Sequence, residues 1–442
     1  MNTRPNSGSG ERWETTGRRC CFDIQARVAP SAPGAWHHGP GIGHKVAVPP
    51  QRWQSYASSA DSLSSGGRAT LRASGSRQRA VAIVLALVVV SPALLPSGAR
   101  AEPPEPRTFT VALTGDLIAH VSINRNAKRF GGGTDYDYRP MFDDVRPIIE
   151  GVDLAICSLE GPIAPRGRRY AGSPRFASPA AITRSIRDVG YDRCSVATNH
   201  SNDQGPSGIL ATLDAFDAVG LGHSGSGRDA AGAVAEIFEV RGVKVAHLAY
   251  TFGVSGLPRL LRTSPARVNI LGAKRVIAAA IDARARGAEV VIASLHWGQE
   301  YQQAITPAQA RIARQITASG QVDLIVGSHA HVLQPIKRVN GTWVLFGLGN
   351  HLSTQNSLTI GRFATADGLI ARVRFTERPD GRFDVSRPTI IPTWVHHRKY
   401  VVMNVFKHLD DPSLPPEILR NLRASWQRTS RLLKGFIEPL PI

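Results

Sequence analysis

The chain has 442 residues, a formal net charge of +19 and 42% hydrophobic residues, the balance of an ordinary globular chain with one large or two ordinary domains; it excludes a membrane-spanning bundle and a chain too polar to bury a core. Of its 53 Lys/Arg and 34 Asp/Glu, residues 1–101 hold 12 and 4, which leaves 41 and 30 in residues 102–442, a net of +11. No Lys/Arg stripe with interleaved aromatics is present, so no nucleic-acid partner is expected; the basic excess reflects either a compositional bias or an acidic partner such as a polyanionic polymer, teichoic acid or phospholipid.

Residues 1–76 are rich in Gly, Ser, Pro and Arg with little periodicity, and read as disordered or as an upstream extension from too early a start codon. Arg77-Gln78-Arg79 then precedes the apolar run Ala80–Val90, and Ala99-Arg100-Ala101 follows. A positive start, a short apolar core and an A-x-A end make residues 77–101 a secretory signal, cleaved or retained as an anchor. The expected location is therefore extracytoplasmic, secreted or on the outer face of the cytoplasmic membrane.

Strands and helices alternate beyond that point. Phe109–Thr114 runs into Gly115-Asp116, and Val152–Leu159 into Glu160. Asp192–Thr198 delivers Asn199-His200, Glu289–Leu295 delivers His296, and Val322–Gly327 delivers His329-Ala330-His331. Val243–Tyr250 and Thr342–Leu348 are two further strands, the second leading into Gly349-Asn350-His351. Helical spacing covers Pro140–Glu150, Pro179–Val189, Pro206–Val219, Ala273–Arg286 and Pro307–Ser319, each followed by glycine, the expected asymmetry of helix ends. The alternation predicts βαβ units and a largely parallel sheet with helices outside. Val254–Asn269 reads as a long loop, with Arg259, Arg262 and Arg267 as candidate substrate contacts in a lid. Asp367–Glu377 and Arg382–Thr393 form a hairpin around Pro379-Asp380-Gly381. Pro415–Phe436 is a basic amphipathic helix whose arginines face solvent or a membrane surface. Cys157 and Cys194 lie at different offsets from the ends of their strands, three residues against five, and read as buried thiols, with a disulfide as the alternative.

Five strands ending in metal-binding or proton-moving residues imply one site, because ligands in open α/β sheets bind beyond the carboxyl ends of strands. Carboxylate, carboxamide and imidazole form a mixed O/N donor set that suits Mn, Fe or Zn better than Mg. His329 and His331, if the segment is extended, point to one side. Two ions about 3.5–4 Å apart would lower the pKa of a bound water and clamp attacking and leaving oxygens. Asp116 or Glu160 could bridge them, and His200 would be free to protonate a leaving group. Glu300 is read as a carboxylate behind a ligand or as half of a surface salt bridge; His247 as core; His396-His397 as surface.

Gly115-Asp116, Leu159-Glu160-Gly161-Pro162, Ala197-Thr198-Asn199-His200, His296-Trp297-Gly298-Gln299-Glu300-Tyr301 and Gly327-Ser328-His329-Ala330-His331 resemble the CapA-type capsule synthesis proteins, associated with poly-γ-glutamate and similar to calcineurin-like metallophosphoesterases. The resemblance spans residues 108–395. It implies a metallophosphoesterase-like sandwich of two mixed β-sheets flanked by α-helices, filling a domain over residues 108–400, with 401–442 as a C-terminal basic helical tail. It further implies one or two divalent ions held by Asp116, Glu160, Asn199, His296, His329 and His331, with His200 as the proton donor. The chain departs from the metallophosphoesterase pattern at Ile118, where Asp-x-His would place histidine; His120 could take its place if the turn bends back. The implied partners are an acidic cell-surface polymer and a membrane-bound polymer synthesis complex. Three functions remain open: a phosphoester hydrolase, a hydrolase or transferase of γ-glutamyl amide bonds, and a non-catalytic polymer-binding component.

Overall fold

The computed structural model describes residues 105–256, 259 and 262–437; the expectations for residues 1–101 lie outside the described residues. In chain order the strands are β1 (Thr108–Ile118), β2 (Leu154–Glu160), β3 (Arg193–Ser195), β4 (Gly222–Ser224), β5 (Ser226–Gly227), β6 (Ile237–Val240), β7 (Val243–Thr251), β8 (Arg267–Val268) and β9 (Val290–His296). They continue as β10 (Leu324–Ser328), β11 (Ile336–Val339), β12 (Thr342–Leu345), β13 (Asn350–Leu352), β14 (Asp367–Glu377), β15 (Phe383–Val385), β16 (Thr389–Val395) and β17 (Val402–Asn404).

The strands build two large mixed sheets. One runs β17-β16-β14-β1-β2-β3-β4, with β13 paired to β1 and β15 to β14; the other runs β11-β12-β10-β9-β7-β6. The expected parallel pairing holds from β1 through β4, between β1 and β13, and across β7-β9-β10-β12, while β14, β16, β6 and β11 pair antiparallel. Alternation along β1 explains the layering. Phe109, Val111 and Leu113 pack with Val245, Val290, Ile292 and Leu324 between the sheets. Ala112 and Leu117 face outward, where Ile182, Ile186, Leu213 and Phe216 cover them. The second sheet's outer face is covered by Val276, Ala280, Ala313 and Ile316. Inner strands buried on both sides are apolar without interruption, which is why they stood out as runs.

Helices occupy the expected segments at Ala181–Asp188, Gly205–Asp217, Ala273–Ala285, Pro307–Ala318 and Pro416–Leu432. Pro140–Glu150 is instead a 3₁₀ turn, Arg139–Met141, and a helix confined to Arg146–Glu150. The helix Val121–Phe130 was not expected: only four of its ten residues are buried, and two of those are asparagines. On Pro416–Leu432, Arg428 forms a forked pair with buried Asp367 at 2.6 and 2.8 Å, and Arg423 bonds Asp410. Among the described residues no helix is long and apolar enough to cross a membrane.

Two local readings are corrected. Cys157 and Cys194 form a disulfide, with Cα atoms 4.4 Å apart. The parallel register sets them directly opposite each other. Strand β3 ends at Ser195, four residues before Asn199, so counting back from Asn199 misplaced Cys194. His396 is 8% exposed and not on the surface; its Nδ1 accepts from the amides of Arg398 and Lys399. His247 is core as expected, bonded to Ser294 Oγ at 2.8 Å.

Closing a loop of 37 residues, the disulfide should contribute about 3–4 kcal/mol; Cys157→Ala/Cys194→Ala is expected to lower the urea midpoint accordingly, and an unchanged midpoint would contradict this. Burial holds His247 and His351 at about 3. Below pH 6.5 the unfolded chain takes up protons that these folded imidazoles refuse, so stability falls as pH drops from 6.5 towards 3. Urea unfolding at pH 7 and pH 5 should show this loss, reduced in His247→Gln.

Candidate metal centre

The site lies where both sheets present strand ends. In the first sheet Asp116 is opposite Ser158 on one side and Asn350 on the other, and Ile118 is opposite Glu160. In the second, His296 is opposite Ser328. Gly115 is required at this edge: a Cβ there would sit 2.0 Å from the Gly349 carbonyl oxygen, whose carbonyl accepts the Asp116 amide at 3.1 Å. The backbones therefore approach closely enough to fix Asp116 in place.

Asp116 Oδ2 accepts the His329 amide at 2.9 Å and Oδ1 accepts the Ser158 hydroxyl at 3.0 Å. His331 Nδ1 lies 3.6 Å from Oδ2, and His296 Nδ1 lies 3.9 Å from Oδ1. Glu160 is the second hub. Its Oε1 is 3.8 Å from His296 Nε2, 3.8 Å from His331 Nε2 and 4.0 Å from His200 Nε2. Asn199 Oδ1 meets His296 Nε2 at 2.9 Å. All six residues read as ligands, together with His200, are thus in one place.

The H-x-H segment is not extended. His329 and His331 adopt φ of 85° and 55°, and Tyr301 adopts 64°, a left-handed conformation costing about 1–3 kcal/mol per non-glycine residue. The fold holds them there through the Asp116 bond to His329 and a 2.7 Å bond from the Tyr301 amide to the Ala330 carbonyl. Both imidazoles reach the site by backbone curl, not by alternation.

The donor set fits a divalent cation on the structure's own terms. Glu160 Oε2 and His329 Nδ1 are buried without a hydrogen-bond partner, an uncompensated arrangement that a cation would complete. Three groups, Glu160–His296–His329, Asp116–Glu160–His331 and Glu300–His329–His331, each hold ligand atoms within 4.8 Å of one another. Burial drives Glu160 up to about 8, reinforced by Asp116 and Glu300 against the opposing pull of His331. Burial also opposes charge on His331, but Glu160 and Asp116 outweigh it and lift His331 to about 9. His329 is pushed down to about 4 by burial and by His331, so it presents a neutral ring suited to a metal.

Beside these residues is a cavity of about 520 Å³ lined by Glu160, His200, Arg175, Phe176, Glu300 and Tyr301 among others. His120 lines it too, so the turn does bend back, with the His120 amide bonded to the Ile118 carbonyl at 2.9 Å. His120 nevertheless stands outside the three groups. Arg267 bonds the carbonyls of Pro265 and Ala266, and the arginine in the cavity wall is Arg175, not Arg259, Arg262 or Arg267. Sequence reasoning also missed Asp203. Its Oδ2 meets His200 Nδ1 at 2.7 Å while accepting the Phe176 amide at 2.8 Å. The signal was present as a carboxylate three residues after His200 in a turn. Ser328 on His296 Nδ1 at 2.8 Å and Asn350 on His331 Nδ1 at 3.1 Å are further positioning partners.

A family model described as "Bacterial capsule synthesis protein PGA_cap" matches residues 110–355, which carry every residue of the cluster. The chain belongs to this family. Among PGA_cap relatives it is 26% identical over 305 residues to the PGA biosynthesis protein CapA of Bacillus subtilis (strain 168), covering 65% of this chain and 74% of that protein. It is 26% identical over 320 residues to the capsule biosynthesis protein CapA of Bacillus anthracis, covering 70% and 75%. Among solved structures it is similar to the calcineurin-like phosphoesterase YfkN from Bacillus subtilis, with a TM-score of 0.41 and 13% identity over 74% of this chain and 98% of that one.

Burial lowers the affinity of His200 for a proton, yet bonding to Asp203 and the nearby Glu160 outweigh it and raise its pKa. Asp203→Asn should therefore shift the His200 titration to lower pH in histidine NMR spectra; an unmoved titration would exclude Asp203 as the partner that holds its proton.

Proposed function

We propose that this PGA_cap protein is an exported, metal-dependent phosphoester hydrolase acting in the synthesis of capsule, poly-γ-glutamate or a related cell-surface polymer. The observation that carries the reading is Glu160 Oε1 facing three imidazole Nε2 atoms at 3.8, 3.8 and 4.0 Å, with Oε2 buried and unpartnered, at the wall of a cavity that also holds His200 and Arg175. Asp116, Glu160, Asn199, His296, His329 and His331 would hold one or two ions of Mn, Fe or Zn. A bound ion would supply Lewis acidity and a lowered pKa for its water.

The chain's own residues supply the rest. Asp203 orients His200 through Nδ1, leaving Nε2 on the cavity side to donate a proton to the departing oxygen. Arg175 offers a guanidinium to an anionic substrate group, which suits a phosphate or a polyglutamate carboxylate. The leader-like residues 77–101 and the Cys157–Cys194 disulfide support export, since structural disulfides persist in oxidising compartments. The basic balance supports an acidic polymer as partner, in a membrane-bound synthesis complex.

Purified protein is expected to carry one or two Mn, Fe or Zn ions by elemental analysis, lost in His329→Ala/His331→Ala. His200→Asn should keep its metal and lose about 10²–10⁴-fold in kcat on a chromogenic phosphodiester. Turnover of a γ-glutamyl anilide instead would reassign the bond cleaved. A folded protein without metal would leave salt-sensitive polymer binding as its function.

A further inference from the structure

Ile118 leaves a gap in the donor set. Asp116, Glu160 and His331 form a group with only one imidazole, and Ile118, directly opposite Glu160 in the sheet, contributes a buried hydrocarbon to the cavity wall. Four protein ligands close a structural site, whereas three leave a position open to water or to a further protein donor.

Glu300 is placed to be that donor. It follows His296 by four residues, beyond the end of β9. The chain between them turns through Gly298 with φ of 100°; the next residue after Glu300, Tyr301, has φ of 64°, and its amide is pinned to the Ala330 carbonyl, between the two histidines. This turn sets a Glu300 carboxylate oxygen within 4.8 Å of ligand nitrogens of both His329 and His331. Glu300 is not part of a surface salt bridge with any Lys or Arg among the described residues. An independent sign of a ligand is His329 Nδ1, in a side chain only 4% exposed and without a partner.

We propose that Glu300 is the protein ligand that completes the cation position served by Asp116, Glu160 and His331, replacing the imidazole that Ile118 does not provide. This inference rests on the metal-dependent reading above and extends it to metal choice. Exchanging a neutral imidazole for a carboxylate gives that position three carboxylates and one histidine. Oxygen-rich sites suit Mn²⁺ and Mg²⁺, whereas imidazole-rich sites suit Zn²⁺. The position beside His331 thus accommodates Mn²⁺ better than an imidazole-bearing position would, while Asn199, His296 and His329 retain the softer position.

The test is metal titration of the full chain, stripped with chelator and followed by calorimetry and Mn²⁺ EPR, with circular dichroism as a check of folding. Wild type should take up two Mn²⁺. Glu300→Gln should keep the tighter ion and bind the weaker one more than about 100-fold less well, beyond the 10–100-fold lost when only an outer partner is removed. Ile118→His in the Glu300→Gln background should restore the second ion, with the Zn²⁺-to-Mn²⁺ affinity ratio higher than in wild type. A loss of 100-fold or less in Glu300→Gln overturns the assignment, as does a wild-type chain that binds a single ion. A wild-type chain that binds neither Mn²⁺ nor Zn²⁺ overturns it together with the metal-dependent reading.

Discussion

The Asp116 carboxylate joins the two halves of this molecule. It stands at the edge of the first sheet and accepts the amide of His329, which follows the last strand residue of a second sheet. A second tie crosses the same gap, from His296 at the end of β9 to Asn199 beyond β3. These bonds align the carboxyl ends of two sheets that pack on each other through an apolar layer. Apolar packing is non-directional and sets only the distance between layers; the polar ties set their registration. The cluster is possible because of that registration.

A carboxylate pair buried among imidazoles is costly without compensation, since burial disfavours charge on every member. The chain meets this by setting Glu160 Oε1 3.8 Å from His331 Nε2, with two bonds to Asp116, and with left-handed backbone at His329 and His331 that no local preference favours. Left-handed backbone gathers here at Tyr301, His329 and His331, and the cluster holds two buried polar atoms without partners. The same pattern makes the cluster a candidate cation site and places His200, with Asp203 behind it, at the cavity.

Membership of the PGA_cap family puts the chain among capsule synthesis proteins and leaves the chemistry to the site. The Cys157–Cys194 disulfide clips β2 to β3 three residues before Glu160 and five before Asn199. It therefore braces the two strands that deliver one carboxylate, one carboxamide and the candidate proton donor. Arg175 and Tyr301 both line the cavity beside the cluster.

Much of this was legible in the sequence because buried strands are continuously apolar and stop abruptly. Those stops marked Asp116, Glu160, Asn199, His200, His296, His329 and His331, and the glycines after helices marked their ends. What the sequence could not carry was whatever depends on register or on backbone curl. Cys157 meets Cys194 because β2 and β3 pair at a particular offset, and strand ends misjudged by a few residues hide it. The parallel runs divide into two sheets because β1 shows Phe109, Val111 and Leu113 to one layer and Ala112 to another. Asp203 and Glu300 join the site through turns, where neither a period of two nor one of 3.6 applies. Residue type and spacing determined which donors exist; tertiary structure decided which of them meet, because only pairing across strands and turns fixes distances to within a bond.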